Sequence, residues 1–306
     1  MNKKVFKYIN KNIHKDFLMN KTIIITGGNS GIGFEVAKIC CYLKMNIVLA
    51  VRDVHKGETA KKELLSLYPS SNIKIYELDV SKRQSIIDFK NNIIGDNIDI
   101  NMLYLNAGVF KIPHSVTEDG YETVMATNYL GNYLLISEFS SYLSNLNHEV
   151  KIIITTSVSA FLAKLDCNDF FMEKKYDKWK IYARSKLADI HLYLYLKEKC
   201  ANRNIIPFLV HPGACSTPLI SKAFPKWFSR LATSFASLFF HSSEKASLCT
   251  IRLLDDRYLE PTFIGPRGLL HISGYPKETK IPSKNKIDYE KTVVFTAELL
   301  NTPLLK

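Results

Sequence analysis

The chain is poor in the residues that mark special scaffolds. It has 13 glycines and 11 prolines in 306 residues, which excludes collagen-like, low-complexity and wholly disordered chains. Its 6 cysteines stand at 40, 41, 167, 200, 215 and 249. None forms a C-x-x-C pair, and no Cys/His group has zinc-ligand spacing. The 8 histidines are scattered, so no metal is expected. Without a disulfide framework the expected compartment is reducing. No run of about 18 uncharged apolar residues is present, so no transmembrane helix is expected. Residues 1–17 lack the continuous apolar stretch of a secretory signal. These absences favour a cytoplasmic location, with contact at a membrane surface as the alternative. Neither a linker nor a solenoid-period repeat interrupts the chain.

What is there is 46% hydrophobic and 23% charged, enough for one large α/β core or two small domains. Lys plus Arg number 41 and Asp plus Glu 29, giving 41 − 29 = +12. Such a surface can attract nucleic acid, anionic lipid or a phosphorylated cofactor. A Lys-, Asn- and Ile-rich composition alone also produces it. No like-charge run reaches the length of a binding tail, and no nucleic-acid motif appears, so no specific nucleic-acid partner is expected. Residues 1–20 form a basic extension with Val5, Phe6, Ile9, Ile13, Phe17 and Leu18 at roughly helical spacing. It can rest on the domain, lie on a membrane surface, or precede a true start at Met19.

From Lys21 the pattern alternates between strands and helices. Thr22–Thr26 is a β-branched run ending in glycines, the mark of a buried parallel strand. Further strands are expected over 46–51, 72–78, 100–105, 150–156 and 205–211, and a last short one near 268–272. Helices are expected over 33–45, 58–68, 81–94 with Ser81 as N-cap, 120–143 and 182–199. Alternation of this length builds an α/β fold, a doubly wound parallel sheet with helices on both faces. The reading is a single Rossmann-type domain over 21–306, with an irregular insertion at about 214–245.

Three motifs carry chemistry. The first strand runs into Thr26-Gly27-Gly28-Asn29-Ser30-Gly31-Ile32-Gly33 and then a helix. Glycines there permit a tight turn and let a pyrophosphate approach the backbone and the helix N-terminus. A glycine loop alone also serves as a plain turn; its strand–loop–helix context is what points to a nucleotide. The second strand ends at Val51-Arg52-Asp53. Val51 occupies the place of the acidic residue that would receive the ribose 2′-hydroxyl of NAD. Arg52 can instead pair with a 2′-phosphate, which favours NADP(H) and leaves NAD(H) as the alternative. Tyr182-Ala183-Arg184-Ser185-Lys186 places a phenol and an ammonium on one helix face. The ammonium favours phenolate and lowers the tyrosine pKa, so Tyr182 can exchange a proton with a carbonyl oxygen.

The glycine loop, Asn106-Ala107-Gly108 after strand four, Ser157 after strand five and Tyr182-x-x-x-Lys186 together resemble the short-chain dehydrogenase/reductase family over about residues 20–275. Finer features resemble its branch of retinol dehydrogenase, WW-domain oxidoreductase and protochlorophyllide reductase. These are Arg52-Asp53, the long gap from Ser157 to Tyr182, the segment from Asn128 to Leu135, Val210-His211-Pro212-Gly213 and Gly274-Tyr275-Pro276. The resemblance implies a sheet of order 3-2-1-4-5-6-7. It implies Tyr182 as general acid/base, and Lys186 lowering its pKa and holding the nicotinamide ribose. Ser157 would bond the substrate oxygen, with Ser159 as a rival, and Asn128 would anchor a water that links Lys186 to solvent. Gly27, Asn29, Ser30, Gly31, Ile32 and Gly33 would hold the phosphates, Arg52 the 2′-phosphate, and Asp79 and Val80 the adenine. Asn106 and Gly108 would line the cofactor and support strand four, and Pro212, Gly213 and Thr217 would hold the carboxamide end. Leu105 stands where the family has asparagine, and Cys215-Ser216 replace its usual residues after the turn.

The expected function is an NADP(H)-dependent oxidoreductase that moves hydride between nicotinamide and a small hydrophobic carbonyl or alcohol. The aromatic segment around Phe224, Trp227 and Phe228 reads as a lid, a core helix or a membrane contact. The competing function is a cofactor-binding sensor or scaffold without chemistry. The family often pairs through two long helices, here 120–143 and 182–199, so a homodimer is a further expectation.

Overall fold

The computed structural model describes residues 1–201, 203–213, 215–216, 241–268 and 273–305. Thr217 and the aromatic segment at 224–228 lie outside the described residues. Six strands, β1 (Thr22–Thr26), β2 (Asn46–Val51), β3 (Ile73–Glu77), β4 (Met102–Leu105), β5 (Val150–Thr155) and β6 (Ile205–Val210), are joined by β7 (Phe263–Pro266) and β8 (Pro276–Glu278) in one sheet. The order is 3-2-1-4-5-6-7-8, parallel throughout until β8 pairs antiparallel with β7. The last parallel strand therefore precedes the expected 268–272, of which 269–272 lie outside the described residues. A two-residue parallel bridge joins Cys215–Ser216 to His241–Ser242 outside this sheet.

Among the described residues the helices are α1 (Lys3–Asn12), α2 (Lys15–Leu18), α3 (Gly31–Tyr42), α4 (Val54–Leu67), α5 (Arg83–Gly95), α6 (Thr123–Met125), α7 (Gly131–Ser144), α8 (Lys178–Lys199), α9 (Ser243–Leu254) and α10 (Tyr289–Leu300). They cover both faces of the sheet because its strands are apolar on both. In β1, Ile24 enters one core with Phe89, Tyr129 and Phe139, while Ile23 and Ile25 enter the other with Ile39 and Ile251. Alternation along a strand sends successive side chains to opposite faces. Each fully buried Ile or Phe stabilises by roughly 1.5–3 kcal/mol, so both layers are needed to hold the parallel ladder. Among the described residues no helix is long and apolar enough to cross a membrane.

Two helix starts differ from the sequence expectation because a different side chain caps them. Asp53 accepts from Lys56 N–H, so α4 begins at Val54 and not 58. Asp177 accepts from the N–H groups of Trp179 and Lys180, so α8 begins four residues before Tyr182. Ser81 does not cap α5, since its hydroxyl donates to Asp79 (2.6 Å) and the helix starts at Arg83.

The N-terminal residues rest on the domain. Val5, Ile9, Ile13 and Leu18 are buried in the core that holds Ile251 and Leu254. Tyr8 stacks on Tyr275 (5.2 Å) and accepts from Arg252 (3.2 Å). On the opposite layer α10 lies on α8, with Thr292 bonded to His191 and Thr296 to Tyr129. That face of α8 is thus covered by the chain's own helix. A lysine is buried in β5: Lys151 Nζ donates to the carbonyls of Leu253 (3.0 Å) and Asp255 (2.5 Å) at the end of α9. It satisfies carbonyls that a helix end leaves orphaned.

Candidate active site

The ends of β1, β4, β5 and β6 open on one edge of the sheet. In parallel α/β sheets the carboxyl ends of strands form the ligand crevice, and most of the residues singled out by sequence gather there. Gly27, with φ +66°, turns the chain out of β1. A Cβ on Gly33 would lie 2.6 Å from the Gly27 carbonyl oxygen and 2.7 Å from Asn106 Nδ2. The loop and the first turn of α3 therefore pack with nothing between them. Ser30 precedes α3 without a side-chain cap, and no acidic residue stands in the first turn. The first-turn N–H groups are thus free of competing carboxylate charge, which suits an anion.

Asn106 serves this loop. Its Nδ2 donates to the carbonyl of Thr26 (3.0 Å), and the Thr26 hydroxyl accepts from the N–H groups of Asn106 and Ala107 (2.9 Å each). These bonds join β1 to β4, the support of strand four expected of Asn106. Arg52 is exposed just after β2, and Asp53 faces its own helix, ion-paired to Lys56 (2.8 Å). Asp79 bonds the N–H and hydroxyl of Ser81, and Val80 is buried beside it. After β6, Gly213 takes φ +81° and donates its N–H to His211 Nδ1 (3.1 Å), which shapes the Pro212-Gly213 turn.

The helix expected over 120–143 is not uniform. It opens at α6, capped by buried Glu122, and passes through a π-helical turn over Ala126–Leu130 before α7. Asn128 sits in this turn and is fully buried. Its Oδ1 accepts from Val109 N–H (2.7 Å), and its Nδ2 donates to Val109 O and Ser185 Oγ (3.0 Å each). Ser185 Oγ in turn donates to the carbonyl of Tyr182 (2.8 Å). The backbone carbonyl of Asn128 accepts from Asn132 Nδ2 (2.7 Å). Asn128 thus clamps the loop after β4 to α8, and each of its carbonyl oxygens keeps a second lone pair.

Lys186 is anchored on both sides. Thr156 Oγ1 donates to its backbone carbonyl (2.7 Å), and its Nζ donates to Thr155 O (2.9 Å) and Asp189 Oδ2 (2.8 Å). Asp189 is fully buried, and burial pushes its carboxyl up to about 6, with Lys186 and Asn132 pulling it back down. Ser157 opens a short 3₁₀ turn over Val158–Leu162, and Ser159 Oγ donates to Ser157 Oγ (3.1 Å). The two candidate serines are thus linked. Tyr182 is half-buried, and the Phe110 ring meets its ring edge-on at 4.6 Å. Trp179 also meets the Phe110 ring edge-on, at 4.9 Å.

Phe110, Asn132, Ser185 and Asp189 were not singled out from the sequence. Asn132 follows Asn128 by one turn and Asp189 follows Lys186 by three residues, spacings that put each pair on one face. Only their burial distinguishes them from ordinary helical neighbours. Among the described residues one His/Asp cluster, His14, Asp255 and Asp256, lies within 4.8 Å. Its groups bond one another, Arg257 and the His14 backbone, and it lies apart from this edge.

Comparison with known proteins follows the same residues. The profile of the family described as short chain dehydrogenase matches residues 21–226. Human retinol dehydrogenase 12 is 31% identical over 203 residues, covering 66% of this chain and 64% of that protein. The match thus spans somewhat under two thirds of the relative's own length. A short-chain dehydrogenase/reductase of Penicillium roqueforti is 26% identical over 240 residues, covering 77% of this chain and 70% of that one. In fold, the chain superposes on an uncharacterized protein from Mycobacterium paratuberculosis with a TM-score of 0.75 at 21% identity, covering 95% of this chain and 98% of the other.

Proposed function

The chain belongs to the short-chain dehydrogenase/reductase family, resembling its retinol dehydrogenase branch, and we propose that it is an NADP(H)-dependent oxidoreductase of hydrophobic carbonyls or alcohols. The observation that supports this most is the meeting of Tyr182, Lys186 and the Asn128 clamp on α8, at the strand edge that also carries the glycine loop.

When bound, the cofactor would supply or accept the hydride at its nicotinamide ring. Tyr182 donates its phenolic proton to the carbonyl oxygen in reduction and takes it back in oxidation. Ser157 Oγ bonds the same oxygen and is itself bonded by Ser159 Oγ. Lys186 keeps its ammonium on the tyrosine's helix face, where it favours phenolate and holds the ribose hydroxyls. The backbone of the glycine loop and the start of α3 hold the pyrophosphate. Arg52 takes the 2′-phosphate; the neighbouring acid, Asp53, is already committed to Lys56 and the α4 cap.

The substrate side of Tyr182 is apolar. Phe110 and Trp179 stand beside it, with Trp179 48% exposed, and Leu162 is 85% exposed after the Ser157 turn. An exposed tryptophan and a phenylalanine beside the reacting group fit a bulky apolar substrate. The relatives named retinol dehydrogenase suggest an alcohol or aldehyde of that kind. Tyr182→Phe tests the reading. Turnover should vanish while NADPH still raises the unfolding temperature, by the equivalent of about 2.7 kcal/mol at 100 times its Kd. Retained turnover refutes the role of Tyr182. A wild-type protein that binds NADPH and turns over no carbonyl or alcohol supports the scaffold reading instead.

A further inference from the structure

Asp189, the buried partner of Lys186, has no part in the chemistry so far. Lys186 is 5% exposed and Asp189 fully buried, with 2.8 Å between ammonium and carboxylate. Along a helix rising about 1.5 Å per residue, Tyr182 lies about 6 Å before Lys186 and Asp189 about 4.5 Å after it. Spacings of four and three put both on the lysine's face. Along the helix, Lys186 thus lies between Tyr182, one turn before it, and Asp189, whose carboxylate meets its ammonium.

We propose that Asp189 is a positioning residue for the reaction: it holds Lys186 toward the far side from Tyr182, offsets the ammonium charge, and thereby sets the pH at which Tyr182 ionises. The inference rests on the reading of Tyr182 as the acid/base group.

The hydrogen bonds carry the argument. Of the three N–H groups on Lys186, Thr155 O takes one and Asp189 Oδ2 another, leaving one for the site. Asp189 is itself fixed, because Asn132 Nδ2 donates to its Oδ1 (3.0 Å) and to the Asn128 carbonyl (2.7 Å). The carboxylate is thereby tied to the π-turn that also clamps α8. Lys186 of its own helix faces Asp189, as do Asn132 of α7, Tyr129 of the π-turn and, through Lys186, the Thr155 carbonyl of β5. Burial pushes the Tyr129 phenol far up, so it stays neutral. Lys186 is therefore the one charged group that meets Asp189 among the described residues, and its ammonium opposes the upward push of burial on the carboxyl.

The test uses the full-length protein without added cofactor. Tyrosinate absorbance at alkaline pH, taken as wild type minus Tyr182→Phe, isolates one ionisation among 16 tyrosines. The same difference is measured between Asp189→Asn and Asp189→Asn/Tyr182→Phe. With the carboxylate charge gone, the Tyr182 midpoint should fall by about one pH unit, and Asp189→Glu should restore it. The amide of D189N can donate to Asn132 Oδ1, which has no hydrogen-bond partner in the structure, so the fold should tolerate it. If D189N does not fold, Asp189→Ser serves the same comparison. An unchanged midpoint in a folded neutral variant overturns the proposal. Turnover retained by Tyr182→Phe overturns the acid/base reading separately, whatever the titration shows.

Discussion

Replacing Asn128 with alanine should damage stability as well as turnover. The side chain is fully buried and makes three hydrogen bonds, at 2.7 Å to Val109 N–H and at 3.0 Å to Val109 O and Ser185 Oγ. Each neutral bond contributes about 1 kcal/mol net, so the clamp is worth about 3 kcal/mol. Val109 is only half-buried, so water can reach its freed groups and the loss should not greatly exceed that sum. At roughly 2–4 °C per kcal/mol for a chain of this size, the unfolding temperature should fall by about 6–12 °C. Calorimetry or circular dichroism at neutral pH measures it, and the guanidinium midpoint checks it independently. Turnover should fall with it, because Phe110 and Tyr182 are held relative to each other through this residue. A variant melting within about 2 °C of wild type would refute the clamp and leave Asn128 a purely chemical role.

Arg52→Ala should weaken NADPH binding about tenfold, the lower end for an exposed charge-assisted bond, and leave NADH within twofold. Equal weakening of both in a calorimetric titration sinks the 2′-phosphate assignment. Ile9→Ala should cost about 2–4 kcal/mol, since Ile9 is fully buried under the domain, whereas Phe6→Ala, 43% exposed, should cost under about 1 kcal/mol. Similar melting of both variants would show that α1 adds nothing to the core. Burial pulls His191 down to about 4, below the roughly 6.5 of an unfolded histidine. The unfolded state then binds more protons between these values, so His191 contributes stability above about pH 6.5 that is lost, by up to about 3 kcal/mol, as pH falls to 4. His191→Phe should flatten the acid limb of melting temperature against pH, and an unchanged limb would contradict it.

The strands and the main motif residues were legible because each lies inside a local pattern, whereas the strand order came with the family resemblance. TIIIT before a glycine loop reads as a buried strand whatever surrounds it, and Tyr182 and Lys186 share a face in any helix. Capping was less legible, since it depends on which of several polar residues wins. Ser81 resembles an N-cap, yet Asp79 takes its hydroxyl, while α4 begins earlier than its apolar pattern because Asp53 caps it. The antiparallel β8 is three residues long and alternates too briefly to be seen. Asp189 and Asn132 read as the polar face of their helices, and only the packing of α7 beside α8 shows that they are buried and joined.

The π-turn explains why these pieces meet. Gly131 N–H bonds the Ala126 carbonyl, five residues back, so the regular i to i+4 ladder is interrupted at this point. Such turns insert a residue and redirect side chains, often at functional sites. Here Asn128 points across to Val109 and Ser185, and its carbonyl takes the side chain of Asn132. The next residue after the turn must be small, because a Cβ on Gly131 would lie 2.2 Å from the Val80 carbonyl oxygen. The same close approach brings the loop after β3, with Asp79 and Val80, against the start of α7. One local irregularity thus links the expected adenine side, the clamp on Tyr182 and the carboxylate that meets Lys186. A uniform helix over 120–143, as the sequence pattern suggested, would leave Asn128 without its cross-chain partners and Asp189 without its tie to the turn.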